Sequence, residues 1–461
     1  MGQRWLRNGY LITMNEGRHV YPRGDVLVEG DRIVAAGRVD PALVKPDAEV
    51  IDVRGKLVLP GLVNTHVHLS QQLARGLADD VDLLTWLRRR IWPYESNMTL
   101  EDSYISSLAC CLELIRSGVT CFAEAGGQEV DGMGRAVREA GLRGVLSRST
   151  MDSGEGLPDN WAESTDACLE HQVRLIETWH GAADGRIRVW FNVRTIFNAS
   201  DDLLVRTKQL ADRYRVGIHM HVAEIEEENR YALATRGATT VRHLQRLGVL
   251  DRNLLAVHAV WLDEEELELF RQHDVKVSHN PAAALKVALG LPKIPEMLSR
   301  GICVSIGTDG APSNNRMDLM SDMYLASLLQ KGRLLDPQAM PAERMLEMAT
   351  INGARCLGLD GEIGSLEPGK KADLIVLAAD DVGVLPMHDP VANLVYAMRS
   401  GNVVSSMVDG RWIMRDRVIL GVDEYAVLQE ARIRAASLLE RSGIALKPRF
   451  PIPERQWRDE P

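Results

Sequence analysis

The central part of the chain, residues 59–365, alternates short apolar runs with amphipathic helical patterns. Eight of the runs have the β-branched character of buried strands, and a helical pattern follows each of them. This repeat predicts an α/β fold of the (β/α)8, or TIM-barrel, type. An open, doubly wound sheet is the alternative, but it requires a glycine-rich phosphate-binding turn after its first strand, and none is present there. The predicted strands are 57–63, 119–123, 142–147, 187–193, 217–222, 254–258, 275–279 and 302–306.

The two ends of the chain carry a second kind of pattern. Residues 1–58 and 366–420 contain short β-like runs bounded by glycine or charged residues, and the first set is too short to close its own core. We therefore expect both ends to pair into one composite β-sandwich domain, with the barrel of residues 59–365 inserted between them. Residues 421–461 have a helical pattern followed by a polar, proline-rich stretch, which predicts a C-terminal helix and tail.

Two histidines, His66 and His68, follow the opening strand of the predicted barrel. On an extended chain, side chains two residues apart point to the same side, so the two imidazoles converge. An isolated pair of this kind is more often solvated or buried in a core than bound to a metal. The positions of the other histidines and acids decide between these interpretations.

A barrel places its active-site residues at the carboxyl ends of its strands. Seven side chains with metal-binding or acid–base chemistry fall at these ends: His66, His68, His221, Glu224, His258, His279 and Asp309. Scattered core histidines would not follow the strand ends in this way. The sequence therefore predicts a metal site at the mouth of the barrel.

His66, His68, His221 and Asp309 are the predicted ligands of one divalent ion, with a coordination position left for water. His221 is favoured over His219 because it begins the segment that ends at Glu224, beside the metal. His219 is then a core residue or a residue that supports the ligands. An ion bound in this way lowers the pKa of water, so that a nucleophile forms near pH 7.

Three of the strand-end residues are predicted to move or hold protons. The reaction considered is a hydrolytic attack on an aromatic carbon–nitrogen centre. In it, Asp309 takes a proton from the attacking water, and Glu224 protonates the ring nitrogen and then the leaving group. His258 hydrogen-bonds the oxygen that develops on the attacked carbon. The alternative for Glu224 is an exposed start to the acidic run 226–228.

The composition limits the partners and the compartment. A net charge of −10 and the lack of a dense basic cluster argue against nucleic-acid binding. The N-terminus has no hydrophobic signal region, and no apolar run is long enough to cross a membrane. The six cysteines have neither metal-ligand spacing nor the pattern of a disulfide framework. We expect a soluble, cytoplasmic protein with a small-molecule partner.

The strand-end motifs together resemble the amidohydrolase superfamily, and most of all its methylthioadenosine/S-adenosylhomocysteine deaminases and chlorotriazine hydrolases. The resemblance covers about residues 5–420. It implies a barrel with a composite β-sandwich, one catalytic zinc ion (iron in some relatives), the roles given above, and a homodimer or homotetramer. The motifs that carry it are 60–68, 221–224, 257–259, 278–281 and 307–315.

Strand four separates two classes within that superfamily. One class holds two metal ions bridged by a modified lysine after this strand. Here the strand ends in Asn192-Val193-Arg194-Thr195, which has no lysine. A charged arginine cannot be a metal ligand, so the resemblance implies a site for one metal ion.

The resemblance also suggests which residues bind the substrate. By the family match, Trp86 stacks on the base, Glu95 accepts hydrogen bonds from ribose hydroxyls, and Arg148 faces the far end of the substrate. Arg194 stands where the nucleoside deaminases carry a substrate-binding histidine. A permanent cation there suits a carboxylate, a phosphate-like group or a more oxidised ring.

The sequence predicts a hydrolase acting on the carbon–nitrogen bonds of cyclic amidines, which deaminates an amino-substituted N-heterocycle and releases ammonia. A purine nucleoside of the adenosine, methylthioadenosine or S-adenosylhomocysteine type is the first expectation. An s-triazine, pterin or oxidised-purine aminohydrolase or dechlorinase is the alternative, and a non-catalytic barrel is the remote one.

Overall fold

The computed structural model of the protein describes residues 2–446 and residue 450. Its strands are β1 (Gln3–Ile12), β2 (Val20–Glu29), β3 (Arg32–Gly37), β4 (Glu49–Asp52), β5 (Lys56–Pro60), β6 (Leu62–Val67), β7 (Val119–Glu124), β8 (Arg143–Leu146), β9 (Ile187–Val189), β10 (Phe191–Val193), β11 (Ile218–Val222), β12 (Leu254–His258), β13 (Lys276–His279), β14 (Val304–Ile306), β15 (Leu374–Ala378), β16 (Val403–Val408), β17 (Arg411–Arg415) and β18 (Val418–Ile419).

The α-helices are α1 (Leu83–Trp86), α2 (Trp92–Glu95), α3 (Leu100–Arg116), α4 (Val130–Ala140), α5 (Thr165–Trp179), α6 (Asp201–Tyr214), α7 (Glu226–Arg236), α8 (Thr240–Arg246), α9 (Glu264–Gln272), α10 (Pro281–Lys286), α11 (Ile294–Ser299), α12 (Ala311–Asn314), α13 (Leu319–Leu334), α14 (Ala342–Ala349), α15 (Ile351–Cys356), α16 (Pro390–Tyr396) and α17 (Glu424–Arg441). Short 3₁₀ turns lie at Pro41–Leu43, Leu69–Ala74, Asp159–Trp161, Ile196–Asn198 and Ser400–Asn402, and a π-helical turn spans Leu87–Ile91.

Strands β6 to β14 form the barrel, which confirms the predicted (β/α)8 fold. They run parallel in two sheets, β6-β7-β8-β9 and β10-β11-β12-β13-β14. The fourth barrel strand is interrupted at Trp190, so that β9 pairs with β8 and β10 pairs with β11. Between β14 and β6, the Thr65 hydroxyl lies 2.8 Å from the hydroxyls of Ser278 and Ser305. These contacts close the ring of eight strand positions.

The apolar run at 57–63, predicted as one strand, is two strands. Lys56–Pro60 belongs to the sheet of the chain ends, and Leu62–Val67 is the first barrel strand. Gly61 lies between them because a side chain would collide with Thr120, whose Oγ1 would stand 1.9 Å from a Cβ there. His66 therefore lies inside the barrel strand, and His68 follows it.

The two chain ends form one nine-stranded sheet. β5 pairs with β1 on one side and with β15 on the other, so the sheet is continuous between the N-terminal and C-terminal segments. It buries an apolar core of its own, to which Leu6, Leu366 and Met407 contribute. An ion pair buried between the two units joins this sheet to the barrel: Arg143 Nε on β8 donates to Asp373 Oδ2 at 2.8 Å.

The helix termini follow local sequence signals. Thr99 and Asp102 form a capping box that begins α3, and Asp263 and Glu266 form another that begins α9. The predicted C-terminal helix is α17, which packs on α3. The predicted tail from residue 447 onward, apart from residue 450, lies outside the described residues. Among the described residues, no helix combines the length and apolar character needed to cross a bilayer.

Candidate metal centre

Three imidazoles converge at the carboxyl ends of two barrel strands. His66 belongs to β6, His68 follows it, and His221 belongs to β11. One ring nitrogen from each lies within 4.8 Å of the others, as do ligand atoms of His66, His258 and Asp309. All five side chains are buried.

Asp309 faces the two histidines of the first strand. Its Oδ1 lies 3.3 Å from His66 Nε2 and 3.5 Å from His68 Nε2. Burial raises the pKa of Asp309, but the hydrogen bond from His66 and the neighbouring imidazoles lower that pKa well below its ordinary value. The aspartate is therefore ionised and can supply an oxygen ligand.

Two of the three predicted ligand imidazoles, those of His66 and His221, are oriented by a hydrogen bond at their other ring nitrogen. His66 Nδ1 lies 2.9 Å from His219 Nε2, and His221 Nδ1 lies 3.0 Å from the Arg194 carbonyl oxygen. The other ring nitrogen of His66, Nε2, is buried and faces Asp309 Oδ1 at 3.3 Å. An imidazole fixed through one nitrogen, with the other facing its neighbours, is the usual arrangement of a metal ligand.

The electrostatics of the pocket also suit a metal ion. Burial lowers the pKa values of His68 and His221 well below that of exposed histidine, so both rings are neutral. Neutral imidazole is the form that coordinates metals. Three imidazole nitrogens and one carboxylate oxygen fit zinc, and a set of this kind leaves an open position in catalytic sites.

Glu224 and His258 lie beside the predicted ligands. Glu224 Oε1 is 3.4 Å from His258 Nε2, and Asn280 Nδ2 lies 3.2 Å from His258 Nδ1. Burial, followed by the charge of Asp309, raises the pKa of Glu224 well above its usual value. Burial lowers the pKa of His258 to about 3. The pocket thus pairs a protonated carboxyl group with a neutral imidazole.

Glu228, at the beginning of α7, holds the backbone that carries Glu224. Its carboxylate accepts hydrogen bonds from the backbone nitrogens of Ala223 (2.8 Å) and Glu224 (2.9 Å). Ala223 is left-handed (φ 50°), as are His258 (φ 70°) and Asp309 (φ 64°). Non-glycine residues in this region are uncommon and cluster at functional sites.

Three of the predicted ligands, His68, His221 and Asp309, line a small cavity that is covered by the segment after the first barrel strand. Leu83, Trp86 and Leu87 form its cover, and Trp86 is 3% exposed. The cavity measures about 20 Å³, which is room for about one water molecule. The π-helical turn begins directly after Trp86, and such turns are frequent at functional sites.

Arg194 lines this cavity and is 6% exposed. Within residues 2–446 and 450, its guanidinium group has no hydrogen-bond or ion-pair partner. Its charge lowers the pKa values of His68 and His221 after the larger effect of burial. The same charge lowers the pKa values of the buried carboxyl groups of Glu95 and Glu224, against the larger effect of burial, although neither group forms an ion pair with Arg194. A buried cation that is not held by an ion pair can bind an oxygen or an anionic group of a ligand.

Two of the predicted substrate contacts lie away from the cavity lining. Glu95 accepts a hydrogen bond from Gln71 Nε2 at 3.0 Å, and burial raises its pKa. Arg148 forms two hydrogen bonds to Glu163, of 3.0 and 2.7 Å, and lines a separate surface cavity. A carboxylate from the following loop thus holds the guanidinium of Arg148 outside the cavity that Arg194 lines, and the substrate contact expected of Arg148 stays a prediction.

Sequence reasoning missed three buried polar residues around the site: Glu124, Glu228 and Asn280. Glu124 ends β7 and accepts a hydrogen bond from the Leu69 backbone nitrogen at 2.7 Å. Burial raises its pKa to about 8. Glu124 and Asn280 could have been found by applying the strand-end rule to every polar residue, whereas Glu228 is concealed within an acidic run.

A (β/α)8 barrel with histidines, an aspartate and a protonated carboxyl group at its carboxyl-terminal mouth is the arrangement of a metal-dependent hydrolase. The family model of the amidohydrolases matches residues 57–413. The chain belongs to the amidohydrolase family, and the superfamily expected from its motifs is confirmed.

Similar proteins cover almost the whole chain. A 5'-deoxyadenosine deaminase of Methanobrevibacter smithii is 40% identical over 422 residues, which are 91% of this chain and 95% of that protein. A 5-methylthioadenosine/S-adenosylhomocysteine deaminase of Desulforamulus reducens is 37% identical, over 95% of this chain and 99% of its own length. The crystal structure of an adenosine deaminase from Xanthomonas campestris with bound zinc superposes with a TM-score of 0.90 at 28% identity, over 95% and 99% of the two chains.

Proposed function

We propose that the protein is a metal-dependent hydrolytic deaminase of purine nucleosides, which replaces the exocyclic amino group with oxygen and releases ammonia. The observation that carries this proposal is the buried cluster of His66, His68, His221 and Asp309 with Glu224 beside it. The names of the relatives, which are deaminases of adenine nucleosides, support this substrate class.

Four side chains hold the ion in this proposal: His66, His68, His221 and Asp309. Zinc is the proposed metal, supported by the nitrogen-rich ligand set and by the zinc in the solved adenosine deaminase; iron is the alternative. When bound, the ion acts as a Lewis acid that makes water available as a nucleophile near neutral pH.

The reaction adds one water to the amino-bearing ring carbon and expels one ammonia. Glu224 holds a proton at the start and gives it to the adjacent ring nitrogen, which makes the carbon electrophilic. Asp309 accepts a proton from the attacking water, and His258 donates a hydrogen bond to the oxygen joined to that carbon. Glu224 then takes up the proton held by Asp309 and gives it to the amino group, so that the carbon–nitrogen bond breaks and ammonia leaves. The new hydroxyl group returns a proton to Glu224 as the carbonyl forms, which restores both side chains to their starting state.

The proposed substrate contacts combine two residues of the cavity lining, Trp86 and Arg194, with Glu95 outside it. Trp86 stacks on the purine ring, and Arg194 binds an oxygen or anionic group of the substrate. Glu95 accepts hydrogen bonds from the ribose hydroxyls after the cover has moved. Movement of the cover is required, because ligand pockets measure several hundred Å³ and the closed cavity only about 20 Å³.

A substrate panel tests this proposal. The purified protein is supplied with zinc and incubated with adenosine, 5'-deoxyadenosine, methylthioadenosine and S-adenosylhomocysteine, and ammonia is measured. Ammonia from at least one of these nucleosides is expected. If the protein binds metal but releases no ammonia from any of these nucleosides, the proposed nucleoside deaminase activity is wrong.

The free guanidinium group of Arg194 favours a second candidate, a deaminase of an oxo-substituted heterocycle such as an oxidised purine or a pterin. A cation binds a ring oxygen or enolate more strongly than it binds adenine. Adding such compounds and amino- and chloro-s-triazines to the panel separates the candidates by their relative kcat/KM.

A cytoplasmic homodimer or homotetramer completes the proposal. Support for a reducing compartment comes from the six cysteines, all of which are free thiols. Support for assembly comes from α17, whose Tyr425 and Ile433 are 72% and 64% exposed. Light scattering of the purified protein measures the subunit count.

A further inference from the structure

Two cysteines meet at the end of the barrel that lies opposite the metal centre. Cys303 directly precedes β14, the strand whose other end leads to Asp309, and Cys356 is the last residue of α15. Their sulfur atoms are 3.7 Å apart although 53 positions separate them in the sequence. We propose that Cys303 and Cys356 are a redox-sensitive pair that forms a reversible disulfide, a modification site independent of the deaminase chemistry.

The geometry requires only a small movement. A disulfide has a sulfur–sulfur distance of about 2 Å. The two sulfur atoms, which are 3.7 Å apart, must therefore move closer by roughly 1.7 Å. Cys303 is half-buried and therefore reachable by small molecules, whereas Cys356 is 3% exposed. This is the arrangement of an attacking thiol and a resolving thiol.

The surroundings distinguish Cys303 from the other cysteines. The hydrogen bond from Cys356, and then the charges of Lys276 and Arg355, lower the pKa of Cys303 below its ordinary value against the opposing effect of burial. Burial raises the pKa of each of the other five: Cys110, Cys111, Cys121, Cys168 and Cys356. Thiolates are the reactive form, so Cys303 is the thiol that an oxidant meets first.

The chemistry with a peroxide as oxidant balances in two steps. The Cys303 thiolate attacks one peroxide oxygen, the oxygen–oxygen bond breaks, and protonation yields a sulfenic acid and one water. The Cys356 sulfur then attacks the Cys303 sulfur, the sulfur–oxygen bond breaks, and a second water leaves. The two thiols lose two electrons and two protons in total, and hydrogen peroxide is reduced to two waters.

The bond would tie α15 to the strand that leads to Asp309. A thiol reductant such as dithiothreitol reverses it by thiol–disulfide exchange. The sequence alone does not reveal the pair, because only the packing of α15 against β14 brings the two sulfurs together.

Mass spectrometry of the peroxide-treated protein tests the proposal. The full chain is exposed to hydrogen peroxide, alkylated, denatured and digested without reduction. A peptide linking Cys303 to Cys356, two fewer free thiols and full reversal by dithiothreitol are expected. Cys303→Ser should abolish the link, Cys356→Ser should trap a dimedone-reactive sulfenic acid on Cys303, and the control Cys168→Ser should leave the link intact.

Three results would overturn the proposal. The first is no modification at peroxide levels that oxidise free cysteine, the second is a link between other cysteines, and the third is direct conversion of Cys303 to sulfinic acid without a link. The wild-type digest alone distinguishes these results, so the test does not depend on whether the variants fold. Failure of the redox pair would leave the proposed deaminase activity unaffected.

Discussion

Glu224 owes its chemical character to its surroundings. An exposed glutamate is ionised at neutral pH, whereas burial beside Asp309 raises the pKa of Glu224 and keeps a proton on it. His258 Nε2, 3.4 Å away, is the nearest imidazole nitrogen. A protonated carboxyl group is what the reaction needs at its first step, so the loss of this proton should stop turnover without removing the metal.

Glu224→Gln should therefore retain one metal ion per chain and lose turnover by about 10²–10⁴-fold. Glutamine has nearly the same shape, but it cannot donate an acidic proton. Steady-state ammonia release with metal analysis measures both effects. Glu226→Gln is the matched control and should behave like the wild type, because the half-exposed Glu226 side chain pairs with Arg230 at 2.8 Å on the surface of α7. Retained turnover in Glu224→Gln would show that another group is the proton donor.

Arg194 should set the preference between substrates. Replacing it with histidine removes a permanent cation from the cavity, so Arg194→His should raise kcat/KM for adenosine relative to an oxo-substituted purine nucleoside by about tenfold or more. Arg148→His is the control, because Arg148 pairs with Glu163 outside the cavity. An unchanged ratio in Arg194→His would mean that Arg194 does not select the substrate.

For single residues, the sequence predicted the position of a side chain where the backbone geometry alone determines it. His66 and His68 converge because the strand period places them on one side, and the strand-end rule located His221, His258 and Asp309. Arg148 follows the same rule, yet its long side chain turns to Glu163, whose position depends on the path of a loop. Sequence patterns do not predict which side chain of a loop will pair with a residue at a strand end.

At the scale of the elements, the turn between β11 and α7 positions Glu224, the proposed proton donor. Ala223 adopts φ 50°, and the Glu228 carboxyl group accepts hydrogen bonds from the backbone nitrogens of the consecutive residues Ala223 and Glu224. The division of residues 57–63 into β5 and β6 is a second feature of this kind. Both strands are apolar, so only the close approach of Thr120 to Gly61 reveals the break.

Glu228 should give the folded state a distinct pH dependence. Burial raises its pKa to about 7, compared with 4.5 for an ordinary glutamate. Between these two values the folded state retains a proton that the unfolded state has released, so stability falls as the pH rises. The Tm of the wild type minus that of Glu228→Gln should therefore decrease from about pH 4.5 to about pH 7 and level off outside this window.

The control for this measurement is Glu227→Gln, because Glu227 is a solvent-exposed neighbour on the same helix. The Tm of the Glu227→Gln variant should follow that of the wild type at every pH. Parallel curves for the wild type and Glu228→Gln would show that Glu228 has the same pKa in the folded and unfolded states.

At the scale of the whole molecule, buried ion pairs join the sheet of the chain ends to the barrel. Arg143 on β8 pairs with Asp373 and Asp409, and all three side chains are at most 6% exposed. The sequence predicted that the two ends would pair around an inserted barrel, because the N-terminal set of strands is too short to close its own core and a matching set lies at the other end. It did not predict this link, since the partners are 230 and 266 residues apart.

Arg143→Met should lower the free energy of unfolding by about 3–5 kcal/mol, because it removes the cation that pairs with two buried carboxylates and leaves Asp409 only Lys371, whose Nζ is 3.7 Å away. Denaturant unfolding measures this change. Arg411→Met removes a surface arginine that lies 3.7 Å from exposed Asp184, and it should cost less than about 1 kcal/mol. Equal effects of the two substitutions would contradict a stabilising role for the buried link.

Metal titration of the metal-free enzyme tests the central claim most directly, namely that one ion held by His66, His68, His221 and Asp309 drives hydrolytic deamination. Zinc is added stepwise to the chelator-treated protein, and ammonia release from the best nucleoside of the panel is recorded at each step. The account predicts a linear rise in rate that ends at one zinc per chain, with oxygen from labelled water in the product. Full turnover without metal, or saturation only at two ions per chain, would contradict it.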